Sequence, residues 1–293
     1  MRYAVFTVCM PEYTVEEGIE KLAAWGYDGV EWRVVNQKPS ADGTRSTGSG
    51  QAPGYWSGNR CTISLDALSE LAASVGKRCR DAGLEVCSIA SYLRCNELDA
   101  IDRVFEACTA MGAPAARVGL PAPEKDENFR DYFDRMVELY APVEKLALKH
   151  GVRSLLETHH GTAIASVSSV YRFVSNFKPA AVGVIHDAGN MVHEGFESYR
   201  SSLQLLGEYL GEVHVKNGAW EPTGETGPLG QVLWKVTWAG LKDGVVNWAD
   251  VMTALKGVGY DGWLAIEDFS TTHTTEQKLT GGLAYLKALE KSA

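Results

Sequence analysis

A short unit recurs along this chain: a segment with helical periodicity ends at a glycine, and a β-rich run begins within a few residues. Glycine directly after the last turn of a helix is a common left-handed cap, and a short link from helix to strand is typical of parallel sheets. Two copies of the unit share the residues Gly-Tyr-Asp-Gly, at 26–29 and at 259–262. The repetition therefore predicts a series of helix-to-strand units. Their glycines are Gly26, Gly83, Gly112, Gly151 and Gly259.

Eight β-rich runs are predicted as strands, and the segments between them show the helical spacing of apolar residues. In one such segment Leu68, Leu71, Val75 and Cys79 fall on one face of a helix. Thr14 followed by Glu17 has the spacing of a capping box, which predicts a helix start there. The predicted strands cover residues 3–8, 29–34, 85–91, 115–120, 153–158, 181–187, 211–216 and 263–268.

Eight strands alternating with helices are typical of an α/β fold, the (β/α)8 TIM barrel. No shift in composition is long enough to mark a linker, so we expect residues 1–293 to form a single TIM-barrel domain. A barrel needs about 250 residues, and the surplus falls in long loops after the second and seventh predicted strands, at about 36–62 and 218–246. Because both follow strands, we expect them at the C-terminal face of the barrel as a lid or substrate pocket. Surface insertions without a role in chemistry are the alternative.

The charge balance disfavours nucleic-acid and membrane partners. The chain has 28 Lys and Arg residues against 37 Asp and Glu residues, which gives a formal net charge of −9. A surface of this sign is repelled on balance by phosphate backbones and anionic lipids. We therefore expect a small-molecule partner, and the sequence leaves a homo-oligomer open.

Two features favour a cytoplasmic location. The first apolar stretch, residues 3–10, is too short for a signal-peptide core or a spanning helix. The six cysteines form no C-x-x-C pair and all lie in the first 108 residues, which favours reduced thiols over a disulfide or zinc framework. They are Cys9, Cys61, Cys79, Cys87, Cys95 and Cys108.

Four predicted strands carry ionisable side chains at or near their ends, after runs of apolar residues: Glu157, Asp187, His214 and Glu267. A single carboxylate at a strand end is more often a helix cap or a surface ion pair. Unpaired carboxylates at the mouth of a barrel would lose hydration and repel one another, and a divalent cation removes both costs. Four such groups on one face of a barrel therefore predict a metal site.

The donor set of this site favours particular ions. Three carboxylates and a neutral imidazole suit Mn2+ best in our interpretation, and Mg2+, Co2+, Fe2+ and Zn2+ are compatible with it. Four protein ligands on an octahedral ion leave two positions, which an α-hydroxy carbonyl compound would fill. The sequence thus predicts one divalent ion that binds both the protein and its substrate.

The same strand ends carry motifs that resemble a known family. In combination they are similar to the sugar phosphate isomerase/epimerase superfamily, the xylose isomerase-like TIM barrels, which include ketose 3-epimerases and inosose dehydratases. The resemblance spans almost the whole chain. It rests on Gly29-Val30-Glu31, Glu157-Thr158-His159, Asp187-Ala188-Gly189-Asn190, His214-Val215-Lys216 and Glu267.

The resemblance implies that Glu157, Asp187, His214 and Glu267 are the metal ligands and that Glu157 and Glu267 are also the catalytic acid/base pair. One glutamate would remove a proton next to a metal-bound carbonyl, and the other would return a proton to the enediolate from the opposite face. The implied activity is that of an isomerase or epimerase acting on a sugar, keto-sugar or keto-inositol.

Two departures from the ketose epimerases motivate a second hypothesis. Asn190 stands where several of them have His three residues after the metal aspartate, and Trp220 stands near the position of an Arg. A lyase would use the same enolisation but expel a β-substituent, as in an inosose dehydratase or in elimination from a 3-keto-glycoside. A non-catalytic sugar-binding subunit is a third hypothesis. DNA repair fits poorly, because the charge is negative and strand-end histidines are few.

Five side chains are candidate substrate contacts, each with a simpler structural alternative. Lys216 would donate to a hydroxyl or leaving group, or form an ion pair with a neighbouring carboxylate. Arg117 would anchor a polar group, or pair with Glu157 or Glu31. The full set is His159, Asn190, Lys216, Arg117 and Trp32.

The alternation of side chains along a strand predicts which further candidates point into the barrel and which point away from it. Glu31 points inward by parity with its neighbours in the strand, so we expect it to hydrogen-bond a metal ligand. His160 is expected to point away from the barrel interior. Trp220, Trp234 and Trp238 in the late insertion would stack on a sugar ring or an aromatic aglycone, although packing is the more common role of a single tryptophan.

Overall fold

Eight parallel strands close into a barrel in the computed structural model, which describes residues 1–37, 54–194 and 196–293. The barrel runs β1, β2, β4, β5, β6, β7, β8, β11, and closes because β1 pairs with both β2 and β11. This single TIM barrel is the predicted fold. The strands are β1 (Arg2–Phe6), β2 (Gly29–Val34), β3 (Thr62–Ile63), β4 (Glu85–Arg94), β5 (Ala115–Gly119), β6 (Arg153–Glu157), β7 (Val182–Asp187), β8 (Leu210–Val215), β9 (Asn217–Thr226), β10 (Val232–Ala239) and β11 (Trp263–Ile266).

Helices cover the outside of the barrel and begin and end with the expected caps. Thr14 accepts a hydrogen bond from the backbone N–H of Glu17, whose carboxylate accepts one from the N–H of Thr14. All five glycines of the repeated unit have φ between 66° and 88°, so the prediction of left-handed caps is confirmed. The helices are α1 (Val15–Trp25), α2 (Leu68–Asp81), α3 (Leu98–Met111), α4 (Phe129–His150), α5 (Val167–Val174), α6 (Met191–Glu194), α7 (Tyr199–Leu206), α8 (Trp248–Gly257) and α9 (Thr275–Ser292).

Alternation along the strands separates an outer core from the barrel interior. Side chains of one parity pack against the helices, and those of the other parity point into the barrel. Two small apolar clusters lie apart from the main core and fill the lower interior, and polar side chains follow them toward the C-terminal ends. The clusters consist of Ala4, Cys87, Trp263 and Ala265, and of Ala115, Leu155 and Ile185.

Three segments differ from the sequence prediction. The first strand ends at Phe6 and continues as a short 3-10 turn over Thr7–Cys9. The strand predicted at 85–91 extends to Arg94. Leu71, expected on the buried face of α2, is 39% exposed. Residues 38–53 of the predicted insertion at 36–62 lie outside the described part of the chain, and β3 in its last part pairs with β2.

The second predicted insertion, at 218–246, is not an irregular loop. Its first part forms an antiparallel ribbon of β9 and β10, which begins directly after β8 and Lys216. The side chain of Asn217 holds its base: the amide donates to the carbonyls of Leu241 and Val246 at 3.0 Å and accepts from the N–H groups of Gly218 and Val246 at 2.9 Å. The ribbon is thus attached to the barrel mouth through one buried amide.

Two further observations concern the whole fold. Among the described residues, no helix combines the length and apolar character needed to cross a bilayer. All six cysteines are buried as free thiols.

Candidate metal centre

Four neighbouring strands bring the predicted metal ligands together. Glu157 ends β6, Asp187 ends β7, His214 lies near the end of β8, and Glu267 directly follows β11. Each has the inward parity of its strand, and one donor atom from each lies within 4.8 Å of the others. Glu157 is 8% exposed, and the other three side chains are almost fully buried.

The imidazole of His214 is oriented by Glu31 on β2. The two side chains share a hydrogen bond in which Nε2–H of His214 donates to Oε2 of Glu31 at 2.8 Å. Nδ1 then faces Oε1 of Glu157 at 3.3 Å, Oε2 of Glu267 at 3.7 Å and Oδ2 of Asp187 at 3.8 Å. This is the arrangement of a metal-binding histidine whose far nitrogen is held by a carboxylate. The inward orientation expected for Glu31 is found.

These atoms fit a divalent ion. Ligands about 2.1 Å from a six-coordinate ion lie about 3.0 to 4.2 Å from one another, which matches the spacing found here. Nδ1 of His214 is buried and makes no hydrogen bond of good geometry to any side chain or backbone group in the described residues. Burial lowers the pKa of His214, but Glu31, Asp187 and Glu157 more than offset this and raise it well above its usual range. The cluster therefore favours a positive charge at Nδ1, from a proton or from a metal ion.

Two basic side chains pair with the carboxylates. Arg117 on β5 contacts Oε2 of Glu157 through Nη1. Lys216 places Nζ 2.8 Å from Oδ2 of Asp187 and 2.5 Å from Oε2 of Glu267. An ion pair was the structural alternative to substrate binding for both residues, and both form one. Both side chains also line the cavity above the site.

The two glutamates have different proton affinities. Burial raises the pKa of Glu157, but Arg117 and His214 more than offset this, so that it lies well below its usual range. Burial raises the pKa of Glu267 to about 7, and Lys216 and His214 offset this only in part. Glu157 is therefore held as a carboxylate, whereas Glu267 can gain and lose a proton near neutral pH.

Asn190 braces the carboxylates from the side. Its amide donates to Oδ2 of Asp187 at 2.9 Å and to Oε1 of Glu157 at 3.1 Å, and its carbonyl oxygen lies 3.1 Å from Nδ1 of His160. Asn190 is fully buried but reaches the wall of the cavity. The residue predicted to touch substrate is thus placed where it also orients two of the predicted ligands.

A cavity of about 530 Å³ opens above the candidate metal site at the C-terminal end of the barrel. Its floor carries charged and amide groups, and its walls carry aromatic rings, a combination typical of small-molecule sites. His159, a predicted substrate contact, lines it as well. The floor includes Glu157, Asn190, Lys216, Glu267 and Arg117, and the walls include Trp56, Tyr92, Trp238, Phe269 and His160.

Two predictions need correction. Trp32 is fully buried in the main core and does not line the cavity. Its parity is opposite to that of Glu31, so its side chain points from β2 toward the helices rather than into the barrel. His160 lies in the loop after β6, where strand parity no longer applies, and it lines the cavity instead of pointing away.

Some cavity residues were not found from the sequence. Tyr92 lies near the end of β4, beyond the predicted strand, and its ring stacks under the guanidinium of Arg117 at 4.7 Å. Phe269 lies in the loop after β11, beyond the predicted strand, where strand parity gives no signal. Trp238 was among the candidates for stacking, and it does line the cavity.

Comparisons with known proteins show which families and folds this chain is similar to. The family model described as the xylose isomerase-like TIM barrel matches residues 19–289. An inosose dehydratase from Geobacillus thermodenitrificans is 24% identical over 142 residues, which is 46% of this chain and 46% of that protein. The match thus spans about half the length of the curated relative.

Solved structures share the fold over almost the full chain. A 3-keto-D-glucoside 4-epimerase from E. coli superposes with a TM-score of 0.69 at 15% identity, covering 98% of this chain and 99% of that one. An IOLI protein with a bound zinc atom superposes with a TM-score of 0.70 at 15% identity, covering 99% and 95%. At these identities the likeness establishes the barrel architecture.

Proposed function

Because this chain belongs to the xylose isomerase-like TIM-barrel family, we propose that it is a divalent-metal-dependent isomerase or epimerase that acts on a sugar, keto-sugar or keto-inositol. The observation that carries the proposal is the cluster of Glu157, Asp187, His214 and Glu267, whose donor atoms lie within 4.8 Å of one another. Two members of the cluster, Glu157 and Glu267, line the cavity. A small carbohydrate is the substrate class that this family and this cavity support.

A divalent ion held by these four side chains would polarise the carbonyl of the substrate and acidify the neighbouring C–H bond. Three carboxylates and one imidazole favour Mn2+, with Mg2+, Co2+, Fe2+ and Zn2+ as compatible alternatives. The zinc in the IOLI structure supports a divalent ion without selecting one.

Glu157 and Glu267 form the acid/base pair of the proposal. Arg117 holds Glu157 as a carboxylate, which suits the removal of a proton from carbon. Glu267 has a raised pKa and contacts the ammonium of Lys216, which suits the return of a proton. Arg117 and Lys216 also lie where they can hold oxygen atoms of the substrate in place.

The test is proton exchange between substrate and solvent. Glu157→Gln and Glu267→Gln, each loaded with metal, should lose about 100-fold or more of deuterium uptake into a keto-inositol or ketose. Glu85→Gln is the matched control, because Glu85 is exposed at the other end of the barrel and pairs with Arg2. Substantial exchange in either metal-loaded site variant would contradict the acid/base assignment. Carbohydrate binding without any exchange in the wild type would favour a sugar-binding protein instead.

A second candidate is elimination from the same deprotonated substrate. Lys216 lies 2.5 Å from Glu267 at the cavity wall, so an ammonium group is available to protonate a leaving oxygen. The similarity to an inosose dehydratase also supports this reaction class. Incubation with a 2-keto-inositol and with a 3-keto-glucoside distinguishes the two, because elimination produces enone absorbance whereas isomerisation gives deuterium uptake without it.

A further inference from the structure

The ribbon of β9 and β10 has one apolar face and one largely polar face. Its register pairs Trp220 with Val236, Trp234 with Pro222, and Trp238 with Gly218, which places these side chains on the same face. Glu221 paired with Lys235, and Ala219 paired with Thr237, point to the other face. We call the first face the apolar stripe: Trp220, Pro222, Trp234, Val236 and Trp238.

Much of the apolar stripe is open to solvent. Trp220 is 46% exposed and Trp234 is 57% exposed, although large aromatic side chains are usually buried. A contiguous exposed apolar surface of this kind commonly marks a binding site. Nε1 of Trp220 donates to the carbonyl of Val192 on α6 at 2.8 Å, which fixes the base of the stripe against the barrel mouth.

The apolar stripe is continuous with the catalytic cavity. Trp238 lines that cavity, its ring centroid lies 5.9 Å from that of Phe269, and Nζ of Lys216 lies 5.0 Å from the Trp238 ring. From Trp238 to Trp234 the strand advances about 14 Å. One continuous surface therefore leads from the proposed metal site past Lys216 to an exposed tryptophan outside the cavity.

We propose that the apolar stripe binds a flat, apolar group that is linked to the sugar, so that the substrate is a glycoside with an aromatic aglycone. The inference rests on the proposed function for the position of the sugar, which occupies the polar floor of the cavity. Indole faces stack well on aromatic rings, whereas a free monosaccharide would reach only the Trp238 end of the stripe. A second copy of this chain could cover the outer part of the stripe but not Trp238 inside the cavity, so the continuity of the stripe with the cavity favours a ligand.

The test compares two probes by isothermal titration calorimetry with the full-length protein. The long aryl glycoside 4-(phenylazo)phenyl β-glucoside should bind about tenfold or more tightly than methyl β-glucoside. Trp234→Ala should weaken the aryl glucoside about fivefold and leave methyl β-glucoside unchanged, because only the long aryl group extends from the cavity along the stripe to that ring. Leu233→Ala is the matched control, since Leu233 neighbours Trp234 on the opposite face and is 37% exposed.

Equal affinities for the two probes, or equal effects of Trp234→Ala and Leu233→Ala, would overturn the inference. So would a dimer in sedimentation velocity that Trp234→Ala dissociates while both glucosides bind as before, because the stripe would then serve a second copy. Neither glucoside carries the carbonyl group that the proposed enolisation requires, so the experiment measures binding separately from turnover. If the protein shows no preference for the aryl glucoside but exchanges substrate protons with solvent normally, only the proposed role of the apolar stripe is refuted. If it prefers the aryl glucoside but shows no proton exchange, only the proposed function is refuted.

Discussion

Strand parity identified the central side chains of the site and also explains the error at Trp32. Glu157, Asp187 and Glu267 each stand two residues after an apolar residue that points into the barrel, and this spacing placed them correctly at the mouth. Trp32 has the other parity and is in the outer core. The sequence left Glu157 and Glu31 open as partners of Arg117, and the structure pairs Arg117 with Glu157 and Lys216 with both Asp187 and Glu267.

The hydrogen bond from His214 to Glu31 leads to a prediction about metal affinity. Glu31→Gln should weaken metal binding about 10- to 100-fold, because the uncharged amide holds the imidazole less firmly and makes Nδ1 a poorer donor. Metal content after dialysis against graded chelator measures the change. Glu85→Gln serves again as the control, and unchanged affinity in Glu31→Gln would show that the contact is structural only.

His193 gives a prediction about acid stability. Burial, aided by His160, Lys216 and His159 and opposed by Asp187, lowers the pKa of His193 to about 4. The unfolded chain, with a pKa of about 6.5 at this residue, binds the proton first as the pH falls. His193 therefore contributes a loss of stability that begins near pH 6.5 and is complete near pH 4.

Urea denaturation at several pH values tests this contribution. One proton amounts to at most about 1.4 kcal/mol per pH unit, and partial exposure of the side chain reduces this. His193→Phe keeps a ring beside His160, whose centroid is 3.8 Å away, and should flatten the decline between pH 6.5 and 4.5. Thr272→Phe, at an exposed loop position without an ionisable side chain, should not. An unchanged slope in His193→Phe would contradict the assignment.

At the scale of elements, all eight barrel strands lie close to where the sequence predicted them, because each is a β-rich run, and five of them (β2, β4, β5, β6 and β11) also follow a capping glycine. The ribbon was missed because Gly218, Pro222 and Gly224 in β9 are typical of a loop. Trp234, Val236 and Trp238 at a spacing of two were the signal for β10. The ends of β1 and β4 differ from the predicted ends because a hydrophobic run does not show at which residue a strand stops.

Two exposed glycines, one at a helix cap and one inside a helix, provide a matched pair of substitutions. Gly151 ends α4 at φ 66° with open space around it, so Gly151→Ala should cost about 1 kcal/mol in the free energy of unfolding through backbone conformation alone. Gly281 lies within α9, also exposed and with open space, and Gly281→Ala should stabilise the protein by about 0.5 to 1 kcal/mol. Urea denaturation measures both, and effects of the same sign would refute the explanation.

At the scale of the whole molecule, closure of the barrel unites residues that are far apart in the chain. Glu31 and His214 are separated by 183 positions and share a hydrogen bond. The rule that active sites lie at the C-terminal ends of barrel strands made this convergence predictable. The cavity walls depend on loop conformations such as that of His160, which the sequence does not specify.

Because the four proposed ligands come from distant parts of the chain and meet only in the closed barrel, we predict that metal binding stabilises the entire fold. Manganese at about 100 times its dissociation constant should add about 2.7 kcal/mol to the free energy of unfolding, because only the folded chain assembles the four ligands. Calorimetric melting with and without the ion measures the shift. Asp187→Asn should show a much smaller shift relative to its own metal-free form, and an equal shift would place the ion elsewhere.

The attachment of the ribbon through Asn217 has an evolutionary consequence. The four hydrogen bonds of this one amide join the ribbon to the barrel mouth at Leu241, Val246 and Gly218, and none involves the outer half of the ribbon. Insertions, deletions or replacements beyond that point leave the anchor and the carboxylate cluster intact. Descendants of this chain can therefore vary the outer ribbon without rebuilding the end of the barrel to which it is attached.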